Sequence, residues 1–300
     1  MPALAEALLP ETAPSLDAAR RHVREVVAAA GTSFFWAMRF LPTEKRQAIF
    51  AVYAFCREVD DIADEGGSRE EKLAGLNAWR GEIARLYEGT PTWPTTVALR
   101  DAVPAFGLER SAFEAIIDGM EMDALGPIQR PSWAELDRYC SRVAGAVGQL
   151  CVAIFGERGP EGRRLAEAEG LALQLTNILR DLADDAAMDR LYLPDELLAK
   201  HGIAGRDPAE VLAHPALPAA CAELAGRAVA AFDAAEAALE DCNRDQIRPA
   251  IVMMKVYRAT LDRHMARGWD DLANPTETGR LGAISGKARK LAIALRYGLF

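Results

Sequence analysis

The sequence predicts an all-α protein. Apolar residues recur at three- and four-residue intervals through most of the chain, period-two alternation is nearly absent, and glycine and proline punctuation separates long periodic segments. In order, helices are expected at 16–30, 43–65, 69–88, 109–124, 132–155, 160–184, 216–241, 247–267 and 285–297. Leu41-Pro42-Thr43 starts the second, Gly66-Gly67-Ser68 ends it, and the run from Gly156 to Pro160 divides two long apolar segments. The proline-rich region from His201 to Pro218 reads as a loop. It is not a domain linker, because composition and helical period are the same on both sides. A single all-helical domain is therefore expected over 15–300, preceded by a short disordered arm at 1–14.

Composition narrows the function classes. The chain has 300 residues, half of them hydrophobic, enough for a substantial core. A net charge of −9 argues against a nucleic-acid partner, which would want a basic face. The five cysteines, Cys56, Cys140, Cys151, Cys221 and Cys242, never form a C-x-x-C pair and read as reduced thiols. The four histidines are scattered singly, without zinc-ligand spacing. Glu6 and Glu11 with no basic n-region do not make a signal peptide. The longest uncharged stretches, Val26 to Met38 and Val143 to Gly156, fall short of the roughly 20 residues that span a bilayer. A cytoplasmic protein without a membrane anchor is expected. The tail from Lys287 to Phe300 alternates basic and apolar residues and could touch an anionic membrane surface or pack as a last helix.

Two acidic stripes carry the chemistry. At about 100° per residue, Tyr53, Arg57, Asp60 and Asp64 share one face of the second helix. Gln174, Asn177, Asp181 and Asp185 share one face of a later one. Acids four apart also form solvated, ion-paired helix faces. Here each stripe emerges from a helix apolar nearly all round, which places the carboxylates in a buried setting. Buried like charges need cations, and oxygen ligands of this kind suit Mg²⁺ together with phosphate oxygens. A diphosphate bridged by those ions and clamped by Arg57 and Arg180 would balance the charge. The apolar wall of Phe34, Phe35, Trp36, Met38, Phe40, Phe50 and Phe55 is ordinary core or, beside a diphosphate site, the seat of a greasy tail.

These residues resemble the squalene and phytoene synthase family over nearly the whole chain. The resemblance rests on Ser33-Phe34 with Leu41-Pro42, on Tyr53-Ala-Phe-Cys-Arg57-Glu-Val-Asp60-Asp-Ile-Ala-Asp64, and on Tyr139-Cys-Ser-Arg142-Val-Ala-Gly145-Ala-Val-Gly148. It rests also on Gln174-Leu-Thr-Asn177-Ile-Leu-Arg180-Asp181-Leu-Ala-Asp184-Asp185, followed by Tyr192-Leu-Pro194. Within the family the sequence is most similar to bacterial presqualene diphosphate synthases of hopanoid biosynthesis. Ala183-Asp184-Asp185 stands where the family usually has Gly-Glu-Asp.

The resemblance implies an isoprenoid synthase helical bundle around a central cavity. It implies Mg²⁺, three ions per site, on Asp60 and Asp64 from one side and Asn177, Asp181 and Asp185 from the other, with Asp61 and Asp184 in supporting positions. Ser33, Phe34, Tyr53, Arg57, Arg142, Gln174 and Arg180 would contact substrate. Tyr53, Arg57, Tyr139, Arg180 and Tyr257 would take part in the reaction. The implied activity is head-to-head joining of two farnesyl diphosphates to presqualene diphosphate, without NADPH. The alternatives are squalene formation with NADPH, phytoene formation from the C20 diphosphate, and a non-catalytic helical partner subunit that keeps the stripes as salt-bridge faces.

Overall fold

The computed structural model describes residues 13–29, 38, 41–64 and 66–270. Its helices are α1 (Leu16–Ala29), α2 (Thr43–Asp64), α3 (Arg69–Tyr87), α4 (Pro94–Leu99), α5 (Ala102–Phe106), α6 (Arg110–Ala124), α7 (Trp133–Cys140) and α8 (Ala146–Phe155). They continue as α9 (Pro160–Arg180), α10 (Leu182–Ala187), α11 (Asp195–Lys200), α12 (Pro208–Leu212), α13 (Leu217–Ala238) and α14 (Arg248–Arg267). Among the described residues the extended pairing is one isolated bridge, Gln129 to Leu191. The helix expected at 285–297 and the arm up to residue 12 lie outside the described residues, as do Ser33 and Phe34.

Within the described residues the expected long helices are present, and local chemistry sets their ends. Ser68 caps α3 through a capping box with Glu71, satisfying two orphan donors. Gly156 closes α8 at φ 122°, a conformation that a side chain would strain, and Pro160 opens α9 at its first turn. Three details differ from expectation. The 132–155 helix is interrupted by a π-turn at Ser141–Gly145. The 160–184 helix breaks at Asp181, whose ψ of 12° leaves the helical range. The loop expected from His201 to Pro218 contains α12, whose N-cap Asp207 accepts a hydrogen bond from the Ala209 amide. Short helices such as α4, α5, α11 and α12 span too few turns to print a period of their own.

One contiguous core runs from Val23 on α1 to Trp269 after α14. Phe55 anchors it, meeting Trp79 and Phe113 edge-on at 5.2 and 5.1 Å. Helix α2 packs on α1, α4, α6 and α8, while α9 packs on α8, α13 and α14. The π-turn is wedged between α6 and α9. That wedge requires glycines: a Cβ at Gly119 would sit 2.7 Å from Val143 Cγ1, and one at Gly170 2.7 Å from the Gly145 nitrogen. Helices α2 and α9, which carry the acidic stripes, both pack on α8. No described helix is long and apolar enough to cross a membrane.

Candidate functional site

The buried parts of α2 and α9 deliver their acidic ends to one mouth. On α2, Val52, Phe55 and Val59 fill the core, and the face beside them presents Tyr53, Cys56, Asp60 and Asp64. The carboxylates are less buried than expected: Asp60 and Asp64 keep 42% and 46% of their side chains accessible. Val59 and Ala63 keep the last turns in the core, and it is the neighbouring face carrying the acids that stays open.

Arg57 holds two acids of its own helix, Asp60 at 3.5 Å and Asp61 in close contact. Asp64 accepts a 2.6 Å hydrogen bond from Arg190 Nη2, which ties α2 to the segment that follows α10. Burial, reinforced by Asp64 and opposed by Arg57, pushes the Asp60 carboxyl up to about 6.

Across the mouth, Asn177 and Gln174 share the expected face of α9, their amides 3.3 Å apart. The Asn177 Oδ1 atom is buried with no hydrogen-bond partner. Arg180 grips the adjacent Asp181 through two bonds, Nε at 2.7 Å and Nη2 at 2.5 Å. Consecutive side chains on a straight helix diverge, so the break at Asp181 is what lets these two meet. The helical turn is nonetheless kept, because the Asp185 amide donates to the Asp181 carbonyl at 2.8 Å. Burial first, then Asp181, pushes the Asp185 carboxyl up to about 7. Asp184 is exposed. Tyr257 of α14 is hydrogen-bonded to Arg180.

Three residues central to this geometry were not singled out as site residues from the sequence: Asp123, Arg190 and Tyr192. Asp123, at the end of α6, accepts from the Tyr139 and Tyr192 hydroxyls at 3.1 Å each. The two rings stack at 5.1 Å. Asp123 is raised to about 6, chiefly by burial, and its charge acts on both Asp60 and Asp185. It therefore lies within electrostatic reach of both stripes. Asp123 is four residues after Gly119, on the face of α6 that approaches the π-turn, so packing between segments brings it here and no spacing in the sequence signals it. Arg190 and Tyr192 are held by backbone pairing around Leu191, whose amide donates to the Ile128 carbonyl and whose carbonyl accepts from the Arg130 amide, both at 2.8 Å.

Of the other residues expected here, Tyr53 is half-buried on the α2 face. Arg142 does not reach the acids of the stripes. Its guanidinium lies 3.7 Å from Asp118 on α6, an acid shared with Arg80.

The donor set fits magnesium in kind. It is all oxygen, it carries carboxylates whose charge is poorly compensated, and it includes a buried amide oxygen left without a partner. Among the described residues no three acidic, histidine or cysteine side chains already converge on one point. Ions held here would complete their shells with water and phosphate oxygens, as Mg²⁺ commonly does.

Residues 27–281 match the squalene/phytoene synthase family. A presqualene diphosphate synthase of Rhodopseudomonas palustris is 48% identical over 90% of this chain and 94% of its own length. The Zymomonas mobilis presqualene diphosphate synthase is 42% identical over 86% and 89%. A phytoene synthase of Thermus thermophilus is 36% identical over 82% and 83%. The crystal structure of a squalene synthase from Alicyclobacillus acidocaldarius superposes with a TM-score of 0.79 at 26% identity, covering 89% of this chain and 100% of that one. Enzymes of this kind build prenyl chains from diphosphates and generally depend on Mg²⁺. With both acidic motifs at one mouth and the match spanning most of its length, the chain belongs to the squalene/phytoene synthase family.

Proposed function

We propose that the protein joins two farnesyl diphosphates head to head into presqualene diphosphate, releasing one diphosphate. The observation that carries this reading is the pair of acidic helix ends facing one mouth, with Asp123 coupled to both. The relatives named presqualene diphosphate synthase, 42% to 48% identical, favour the C15 substrate over the C20 one.

Asp60 and Asp64 would hold Mg²⁺ from α2, and Asn177, Asp181 and Asp185 from α9 and α10, three ions in all. When bound, Mg²⁺ neutralises the diphosphate as its bond to C1 breaks. Occupied carboxylates no longer need their arginines. Arg57, now on Asp60 and Asp61, and Arg180, now on Asp181, would then turn to phosphate oxygens. By the family resemblance Gln174, Tyr53 and Ser33 would complete the polar contacts to the two head groups, and Phe34 would contact substrate as well.

The C2=C3 bond of the second substrate bonds to C1 of the first, and loss of one proton closes a cyclopropane. The groups placed to take that proton are the released diphosphate and Tyr257, which is hydrogen-bonded to Arg180. Tyr139 acts through Asp123, holding a carboxylate between the stripes. Arg142 supports α6 through Asp118. Apolar walls exclude the water that would quench a cation. Nothing in this reading calls for NADPH, and prenyl substrates that partition into bilayers imply delivery from a membrane surface.

The test is incubation of the protein with farnesyl diphosphate and Mg²⁺, with and without NADPH, and mass analysis of the products. A cyclopropyl C30 diphosphate that accumulates even with NADPH is expected. Squalene formed only with NADPH, or turnover of the C20 substrate alone, would replace the reading, and no turnover of either substrate would remove it.

A further inference from the structure

We propose that Asp123 is a positioning residue for the ion site: through Tyr192 it holds the segment at Arg190 that sets the spacing of the two acidic arms. The inference rests on the reading of the stripes as Mg²⁺ arms given above.

Arg190 touches both arms directly. Its Nη2 donates to Asp64 Oδ1 at 2.6 Å, and its amide donates to the Asp185 carbonyl at 2.9 Å. One residue therefore joins the end of α2, by its side chain, to α10, by its backbone. Where Arg190 sits decides how far apart Asp64 and Asp185 stand.

The backbone alone does little to fix that place. Asp189, just before it, lies at φ 60°, a left-handed conformation that costs a non-glycine residue roughly 1 kcal/mol. The extended pairing at Leu191 is a single bridge, with its amide on Ile128 and its carbonyl on Arg130. Side chains supply the rest. On one flank Gln129 Nε2 donates to the Asp189 carbonyl at 2.8 Å and to Asp189 Oδ1 at 2.7 Å. On the other flank Tyr192 keeps 5% of its surface accessible, and its hydroxyl donates to Asp123 Oδ1 at 3.1 Å. Residues two apart in an extended segment point to the same side, about 7 Å from one another, so Arg190 and Tyr192 leave the bridge together.

Asp123 is built to grip that ring. It stands at the end of α6, whose Phe113, Ile116 and Ile117 are buried in the core, so its carboxylate is a fixed point. Its Oδ2 accepts from the Tyr139 hydroxyl at 3.1 Å, the two hydroxyls lie 3.3 Å apart, and the two rings stack at 5.1 Å. Tyr192 is thus held at its tip by Asp123 and along its face by Tyr139. Among the described residues the hydrogen bonds of Asp123 go to these hydroxyls and to no member of either stripe. It reaches the arms through Tyr192.

This role needs hydrogen-bonding geometry and not charge. An asparagine keeps it: the amide oxygen accepts from Tyr192, the amide nitrogen donates to Tyr139, and the Tyr139 hydroxyl turns to Tyr192. Alanine at 123 and phenylalanine at 192 both cut the bond. The arms are then free to part, and the ions have to bring them together.

The experiment measures the Mg²⁺ concentration at which inorganic diphosphate half-maximally raises the melting temperature, beside the product formed from farnesyl diphosphate. It compares the wild-type chain, Asp123→Asn, Asp123→Ala, Tyr192→Phe, and the double variant with Asp123→Ala and Tyr192→Phe. Asp123→Ala and Tyr192→Phe are each expected to raise that Mg²⁺ concentration roughly tenfold, the scale of supporting groups around metal ligands. The double variant should be no worse than either single one, because both cut the same bond. Asp123→Asn should stay close to the wild type. An asparagine variant as impaired as the alanine one would mean that Asp123 acts by its charge, and overturns the inference. Single effects that multiply in the double variant overturn it too, as does a fall in the ligand-free melting temperature with the Mg²⁺ concentration unchanged. A wild type that makes no C30 product but keeps the expected order of variants overturns the proposed product and leaves this inference standing.

Discussion

Glu82 and the carboxylates of the site are the same chemical group in opposite circumstances. Glu82, fully buried on α3, receives hydrogen bonds from the Thr92 amide at 2.6 Å, the Trp93 amide at 2.8 Å, the Thr96 hydroxyl at 2.5 Å, the Thr92 hydroxyl at 2.9 Å and Arg85 Nε at 2.7 Å. Burial pushes its carboxyl up, but the bonds from Thr96, Trp93 and Thr92 outweigh it and hold the group below the usual range. Asp60, Asp123, Asp185 and Glu169 are all raised, because donors and cations around them are too few to offset burial. A carboxylate saturated by its own chain serves the fold. One left short of positive charge is available to a ligand, at some expense in stability.

The largest effect separates activity from stability. Asp60→Asn and Asp185→Asn each remove an ion ligand and also relieve repulsion between neighbouring acids. Turnover of farnesyl diphosphate is expected to fall by roughly 10² to 10³, the scale seen when a preorganised electrostatic group is lost. Melting temperature without metal should stay level or rise. A fall in melting temperature matching the loss of activity would mean that these acids support the fold, as Glu82 does.

Glu82→Ala is the mirror image. It strands the Thr92 and Trp93 amides and the Thr92 hydroxyl, while the Thr96 hydroxyl keeps the Trp93 carbonyl, and a loss of roughly 3 kcal/mol in denaturant unfolding is expected, since each unsatisfied buried group costs about 1–3 kcal/mol before local repacking. Turnover per folded molecule should be unchanged.

The two kinds of acid also respond to pH with opposite sign. Glu82 is lowered in the folded state, so its contribution is present above its unfolded value and is lost as pH falls through the folded one. Glu169 is raised to about 8 from 4.5. The folded state keeps a proton that the unfolded state releases, so stability declines as pH rises from about 4.5 and the decline is complete above about 8. Melting curves of Glu169→Gln should therefore pull ahead of the wild type between those limits, whereas Glu82→Gln falls behind most clearly at neutral pH. Parallel curves for Glu169→Gln and the wild type would show that its carboxyl is solvated.

Much of this site was legible because both stripes obey a short-range rule. Residues spaced by three and four fall on one face whatever the tertiary context, which placed Tyr53, Arg57, Asp60 and Asp64 together before any fold was known. The same rule placed Gln174 and Asn177. It overshot at Asp181, where the chain leaves the helix so that Arg180 can grip its neighbour. It misjudged depth, since apolar flanks report burial of one face of a helix and not of the face beside it. Arg142 was grouped with the substrate contacts by its motif, but its pairing with Asp118 depends on how α6 packs on the π-turn. Asp123 and Arg190 were harder still. They join the site through packing between distant segments, around Gly119 and the Leu191 bridge, and no periodicity within one helix encodes that.

Arg190 offers the smallest and most discriminating test. It is the cation that bridges the stripes, bonded to Asp64 on α2 and opposing the rise of both Asp123 and Asp185. Its guanidinium is mostly buried, but Asp64 is nearly half accessible, so the ion pair contributes only about 1 kcal/mol to folding. Arg190→Ala is expected to lower stability by that amount. It also leaves three acids with less compensation, and the Mg²⁺ concentration for half-maximal activity is expected to change by less than about tenfold, on the scale of supporting groups around metal ligands. The direction of that change is informative. A lower Mg²⁺ requirement would mean that Arg190 competes with the ions for Asp64, placing it with Arg57 and Arg180 among the cations that ligand binding displaces. A higher one would mean that it keeps Asp123 and Asp185 ionised for the metals, so that the site borrows from its own chain the kind of support that Glu82 receives in full.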